Sequence, residues 1–274
     1  MNERGFFPFA KETEKTFFQR ISQEPFSAKE FFKKEGELPP FSLKRKVPVE
    51  DWAFSLAKLQ KSYQIKPCHL EAYYAKKGLR FWHPAMTWVF EGIKTHRDFP
   101  LIQLHPNRLA DEILSHEAVH LVRAPLKSEK YEEFFAYSLS NQFLRKCFGP
   151  LFSSEKDASF WIWSLLGNVF SQLFFPEKIA DLVLFLSLLF FIRKMSSLFF
   201  RKMQLKKAEK MAKILLENPT EAKAFLFRLT DEEIDFFAEK SSDKVKDFIL
   251  KNTKEKLRWR LIKASYAFKG NYHG

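Results

Sequence analysis

The chain has 274 residues, with 46 Lys and Arg against 33 Asp and Glu, for a formal charge of +13. That length can bury a real core and hold one or two domains, and the absence of G-x-G-x-x-G and P-loop patterns excludes the common nucleotide-binding folds. The two cysteines, Cys68 and Cys147, are far apart with no C-x-x-C, which excludes a disulfide framework and a thiolate metal cluster and reads as reduced thiols.

Residues 1–46 form a mixed segment with short helices expected at about 10–22 and 27–35. The start, Met1-Asn2-Glu3-Arg4, leads into mixed charge with no continuous apolar run, so no signal peptide is expected. From Pro48 to Tyr63 a better helix is expected, with Glu50 and Asp51 in its first turn and Trp52, Leu56 and Leu59 on one face. Residues 68–77 suggest another short helix ending at Gly78. The period then shortens: Leu79 to Trp82, Met86 to Phe90 and Pro100 to Leu104 are aromatic and aliphatic runs expected as strands of a small sheet. His83, His96 and His105 lie in this region and read as loop or strand-end residues rather than ligands.

The next stretch organises the chain. His116-Glu117-Ala118-Val119-His120 spells H-E-x-x-H, which sets two imidazoles one helical turn apart on one face and a carboxylate on the flank. Two such imidazoles can reach one tetrahedral metal, leaving Glu117 free to act on a water molecule. Leu114, Ala118, Leu121 and Val122 supply an apolar rear stripe. Pro106 and Asn107 suit the start of the helix and Ala124-Pro125 its end. Arg123, on the face of His116, suggests an ion pair to Glu129 or Glu132 that ties this helix to the next, in preference to a clamp on a substrate carboxylate.

That next helix is expected from Ser128 through about Cys147, stopping at Gly149-Pro150. Its stretch Glu132-Glu133-Phe134-Phe135-Ala136-Tyr137, together with the upstream H-E-x-x-H, resembles the gluzincin type of zincin metallopeptidase. In that family a downstream helix carries a glutamate ligand followed three residues later by a small residue, and Glu133 with Ala136 fits. The resemblance covers only about residues 100–145. It implies a Zn2+ cofactor held by His116, His120 and Glu133, with Glu117 as general base, and an edge strand that pairs with an extended peptide substrate. The helix wheel independently prefers Glu133, which shares a face with Ala136, Tyr137 and Ser140, over Glu132, which lies towards Leu139 and Phe143. Where many gluzincins place an Asp four residues after the ligand Glu, this chain has Tyr137, so the partner of a ligand histidine must be built otherwise. Tyr137 is a candidate donor to a developing oxyanion.

Residues 158–175 carry no formal charge, and after Pro176-Glu177-Lys178 the stretch from Leu182 to Ile192 is again almost wholly apolar. Eighteen helical residues span about 27 Å, close to the roughly 30 Å of bilayer hydrocarbon. Trp161, Trp163 and the cations Arg193, Lys194, Arg201, Lys202, Lys206 and Lys207 favour a membrane hairpin, whereas Asn168, Ser171 and Gln172 favour a buried helical pair. Beyond it, one helix is expected over Lys206–Glu217, with N-caps at Thr220 and Thr230, and a long amphipathic helix from Ser242 to about Tyr266.

The fold expected is therefore α+β: an N-terminal segment (1–46), a zincin-like domain with a small sheet and active-site helices (47–150), an apolar helical hairpin (158–200) and a charged C-terminal helical region (201–274). The leading reading is a membrane-associated zinc metallopeptidase acting on peptide or protein, with its catalytic domain facing the cytoplasm. The second is a non-enzymatic, membrane-anchored helical adaptor whose metal site is incidental or structural, and a soluble cytoplasmic chain is the alternative to membrane attachment. The positive charge concentrates after residue 192, beside the most apolar stretch, and no basic run carries a nucleic-acid motif, so lipid rather than nucleic acid is the expected partner.

Overall fold

The computed structural model describes residues 8, 14, 15, 17, 18, 27–67, 70–80, 83–93, 98–107, 111–151 and 155–269. Most of the helix expected at 10–22, together with Cys68, Phe81, Trp82 and His96, lies outside them. The fold is mixed α+β, with a small three-stranded sheet followed by helices.

The first described helix, α1 (Ala28–Glu35), follows Ser27, whose hydroxyl and Glu30 form a reciprocal capping box, and ends at Gly36 with φ of 75°. A 3-10 turn, Val49–Trp52, leads into α2 (Ala53–Tyr63). The sheet comprises β1 (Ala72–Tyr74), β2 (Ala85–Phe90) and β3 (Phe99–Leu104) in the order β1-β3-β2, with β1 parallel and β2 antiparallel to β3. The helix expected over 68–77 is thus replaced by a strand. Ala72 and Tyr74 pack to one side of the sheet, and Tyr73 with Ala75 to the other. That alternation is the strand period, and pairing with Ile102 to Leu104 outweighs local helix propensity. Leu79 and Arg80 stand outside any strand.

The two faces of the sheet have different cover. Phe31 and Phe32 of α1 meet Phe90 and Phe99 on one face. On the other, α3 (Asp111–Arg123) seals the sheet with Leu114, Ala118, Leu121 and Val122, the stripe expected, and all four are buried. The chain turns through a 3-10 segment, Ala124–Leu126, into α4 (Glu132–Ser138). The single helix expected to reach Cys147 is broken: α5 (Phe143–Phe148) begins anew after Leu139 to Gln142. At the break the Glu112 carboxylate accepts the Asn141 N–H at 2.7 Å and the Ser140 hydroxyl at 3.1 Å, which replaces helix bonding there.

Two long helices follow, α6 (Glu155–Phe174) and α7 (Glu177–Leu215). They are antiparallel: Asp157 meets Lys194 at 2.6 Å, Trp161 stacks on Phe191, and the Ser164 hydroxyl donates to that of Ser187 at 2.6 Å. The second apolar stretch and the helix expected at 206–217 are one helix of 39 residues, because residues 179–215 contain no Pro or Gly to interrupt it. The boundary expected at 200/201 falls within it. Among the described residues this one helix is long and apolar enough to cross a membrane, and only 11% of its most apolar 18-residue window is buried.

The remaining helices are α8 (Ala222–Leu226), α9 (Asp231–Glu239), α10 (Ser242–Glu255) and α11 (Leu257–Ser265). Thr230 caps α9 with Glu233 as expected, whereas Asn218, not Thr220, caps the turn before α8. The long final helix expected breaks at Lys256, where Arg258 and the Trp259 indole N–H turn inward to the Glu233 carboxylate. These helices share one continuous core with α2, α3 and α4, through residues such as Tyr63, Phe135, Phe227 and Trp259.

Candidate metal centre

The last two turns of α3 present His116 and His120 on its open face, opposite the buried stripe, and their Nε2 atoms lie 3.1 Å apart. The first turn of α4 brings the Glu133 carboxylate between them: one oxygen is 3.5 Å from His116 Nε2 and the other 3.5 Å from His120 Nε2. Tetrahedral zinc with bonds of about 2.0–2.1 Å separates its donor atoms by roughly 3.3 Å. Each Glu133 oxygen lies near that separation from one histidine nitrogen, and one donor atom from each residue can be chosen with all three within 4.8 Å, so these residues form a group that could hold a metal ion. Two imidazoles and one carboxylate are also the donor chemistry that a borderline cation such as zinc takes.

Glu117 stands apart from this group. The Thr87 hydroxyl on β2 donates to Glu117 Oε2 at 2.7 Å, which fixes the carboxylate at the side of the two histidines. Burial raises the Glu117 carboxyl above its ordinary pKa, against the opposing influence of His120 and Thr87. Burial likewise pushes Glu133 up to about 7. Burial also holds His116 well below the usual imidazole value, helped by the charge of His120. At His120 burial acts downward too, but the Glu132 hydrogen bond and the surrounding carboxylates win and push it up to about 9.

Glu132 is where the helix wheel misled. It does not point to an apolar side; its Oε1 lies 3.2 Å from His120 Nδ1. The reason is the break after Ser138, which removes Phe143 from the face on which the wheel had placed it. A carboxylate on the second ring nitrogen orients a ligand histidine and raises its basicity, so Glu132 supplies the partner that Tyr137 cannot. Tyr137 lays its ring against His116, with centroids 4.6 Å apart, and Gly149 comes so close to the same ring that a Cβ there would overlap it. Burial raises the Tyr137 hydroxyl pKa.

Arg123 makes no ion pair with Glu129 or Glu132. Its fully buried guanidinium donates to the carbonyls of Phe227 and, at 3.2 Å, Leu229, and sits over the Phe135 ring at 4.6 Å. The first turn of α4 is held from the same region: Asp231 accepts the N–H groups of Lys130 at 2.6 Å and Tyr131 at 3.3 Å, and Asp235 accepts the Tyr131 hydroxyl at 2.5 Å. Ser128, expected as the cap, donates instead to Leu126. Sequence reasoning missed Thr87, Glu132 and Asp231. Thr87 alone left a trace, as the lone hydroxyl in a strand of large apolar side chains.

His116, Glu117, His120, Glu132 and Glu133 line a cleft of 640 Å³ whose far wall is β2, with Met86, Thr87 and Val89. Among the described residues β2 is an edge of the sheet, since β3 pairs with only one of its sides. Of the three other histidines considered, His83 lines this cleft and His105 accepts the Asn107 N–H at a loop. Compared with protein-family models, curated proteins and solved structures, the chain matches none.

Proposed function

We propose that this chain is a membrane-associated, zinc-dependent peptidase in which His116, His120 and Glu133 bind the metal and Glu117 is the general base. The observation that carries this reading is a pair of histidine nitrogens 3.1 Å apart, each 3.5 Å from a different oxygen of Glu133, beside a carboxylate held separately by Thr87. A zinc ion bound there supplies Lewis acidity, polarising a scissile carbonyl and acidifying water in the cleft. Glu117 accepts the proton of the attacking water and delivers it to the amine nitrogen as the C–N bond breaks. Burial makes its carboxylate a stronger base than an exposed one. Thr87 keeps one of its oxygens occupied, leaving the other for the proton. Glu132 orients His120, and Tyr137 donates to the oxygen that gains charge as the carbonyl is attacked. The free edge of β2 accepts an extended peptide or protein segment by backbone hydrogen bonds.

Membrane attachment belongs to the same reading. Leu165, Leu166, Val169, Phe170, Leu173 and Phe174 of α6, and Leu182, Phe185, Leu189 and Ile192 of α7, are all exposed. Water-soluble proteins rarely leave so large an apolar face uncovered. The cations after Ile192 put the flanking parts on the cytoplasmic side. A structural metal site, one form of the adaptor reading, is closed, whereas the ligand candidates here line an open cleft.

The test uses full-length protein and its Glu117→Gln variant. Both should contain zinc, and only the unaltered chain should cleave a mixture of unstructured peptides, losing that activity to a chelator and regaining it with zinc. Equal turnover by the variant, or purified protein that binds no zinc, would end this reading. Retention in the membrane pellet through carbonate washing checks the attachment, and release by salt alone would refute the hairpin.

A further inference from the structure

The short helix α5 has no buried residue, and three of its six side chains are large and apolar: Phe143 is 74% exposed, Leu144 68% and Phe148 44%. Its position is nevertheless well determined. Glu112 at the start of α3 holds the Asn141 N–H, the Ser140 hydroxyl and, at 3.1 Å, Arg145, while Pro150 is buried at the far end. An element fixed from both ends that buries nothing of its own is built to be covered by something else.

Its neighbour has the same character. Lys202 Nζ lies 4.0 Å from Cys147 Sγ, which sets α5 beside the part of α7 where Phe199, Phe200 and Met203 are also exposed. Residues 140–151 carry two cations and residues 193–208 carry six, with no Asp or Glu in either stretch; Arg145 pairs with Glu112 and Lys194 with Asp157, which leaves six for an outside partner. Phe199 and Phe200 fall about two turns beyond Ile192, at headgroup depth once α7 takes the ordinary tilt of a spanning helix.

We infer that α5, with the adjoining turns of α7, is a second lipid-contacting surface, which docks on the headgroup layer of an anionic bilayer outside the hairpin. This rests on the membrane reading of α6 and α7. Two features select the occupant. Apolar side chains interspersed with more cations than acids match an anionic interface, where aromatic and aliphatic groups sit at the acyl boundary and cations at the phosphates. The surface also continues the exposed apolar face of the hairpin. A second copy of the chain would instead bring like charge against like charge. Because Glu112 ties α5 to α3, docking also holds the metal helices close to the leaflet.

The experiment uses full-length protein reconstituted in vesicles of phosphatidylcholine with phosphatidylglycerol, in a Cys68→Ser, Cys147→Ser background. Single Leu144→Cys, Leu166→Cys and Lys251→Cys variants carry an environment-sensitive fluorophore on α5, the hairpin and the exposed side of α10. Leu144 and Lys251 are exposed, so these changes leave the fold intact. The probe at 144 should show about threefold less iodide quenching than the probe at 251, with quenching by lipids brominated near the headgroup. In phosphatidylcholine alone this protection should be lost; equal protection there would overturn the anionic preference. If 144 is as open to iodide as 251 while 166 is quenched by deeply brominated lipid, α5 does not dock although the hairpin inserts. If 166 itself is open to iodide, the membrane reading fails. Protection at 144 without lipid quenching would mean that a second copy covers the surface, which also overturns the inference.

Discussion

Removing the Glu132 side chain tests how the metal centre is supported. Its carboxylate lies 3.2 Å from His120 Nδ1, and both side chains keep some contact with solvent, 17% and 18% respectively. Outer partners of metal-ligating histidines are worth about 10–100-fold in metal affinity. The distance is longer than the 2.7–2.9 Å of the best charge-assisted bonds, which places this pair near the lower end. Glu132→Ala should therefore weaken zinc binding by about tenfold, or about 1.4 kcal/mol. Glu132→Gln keeps an acceptor oxygen without the charge and should lose about threefold. Glu133→Gln removes a ligand and should cost at least about a hundredfold. Competition with a chromophoric chelator measures all three. Zinc affinity of Glu132→Ala within about twofold of the unaltered chain would refute the supporting role. Loss of zinc in Glu132→Gln with retention in Glu133→Gln would show that the two carboxylates are assigned in reverse.

Gly149→Ala should push Tyr137 off His116, lowering stability by about 1–3 kcal/mol and weakening metal binding, as read by thermal melting and the same titration. Unchanged melting would mean that the ring moves aside freely. Asp231→Ala removes the acceptor for two N–H groups at the start of α4 and should cost about 1–2 kcal/mol. Zinc affinity should fall with it, although Asp231 touches no ligand. His120 is pushed up to about 9 and Glu133 to about 7, so at pH 7 His120 holds a proton and Glu133 is about half protonated, and zinc must displace these protons. Affinity should accordingly rise with pH and level off above about 9, and calorimetry in buffers of different ionisation enthalpy should count protons released on binding; none released would contradict the assignment.

The donors of the candidate metal site were legible because they depend on a local rule. Two histidines four residues apart on a helix meet whatever surrounds them, and the apolar stripe from Leu114 to Val122 fixes which face turns outward. What escaped depends on distant partners. β1 is a strand because β3, some thirty residues later, pairs with it. Arg123 reaches carbonyls 104 and 106 residues ahead rather than an acid nearby. Glu132 faces His120 because α4 packs across α3, a contact between helices that no local pattern encodes. The continuity of α7 was readable in principle, since no breaker interrupts it, but its change from apolar to charged composition suggested two elements.

The long-range ties of the metal helices bear on how the protein is made. Lys130 waits for Asp231, 101 residues later, and the Tyr63 carbonyl for Arg228, 165 residues later. A ribosome adding about 5–20 residues per second takes roughly 5–20 s to cover the first of these gaps. For that interval H-E-x-x-H and Glu133 are already outside, but the helix carrying Glu133 has no partner for its leading N–H groups. The nascent chain is thus born without a finished candidate metal site, and α6 and α7 emerge, free to reach their final environment, before the segment from Asp231 onward completes it.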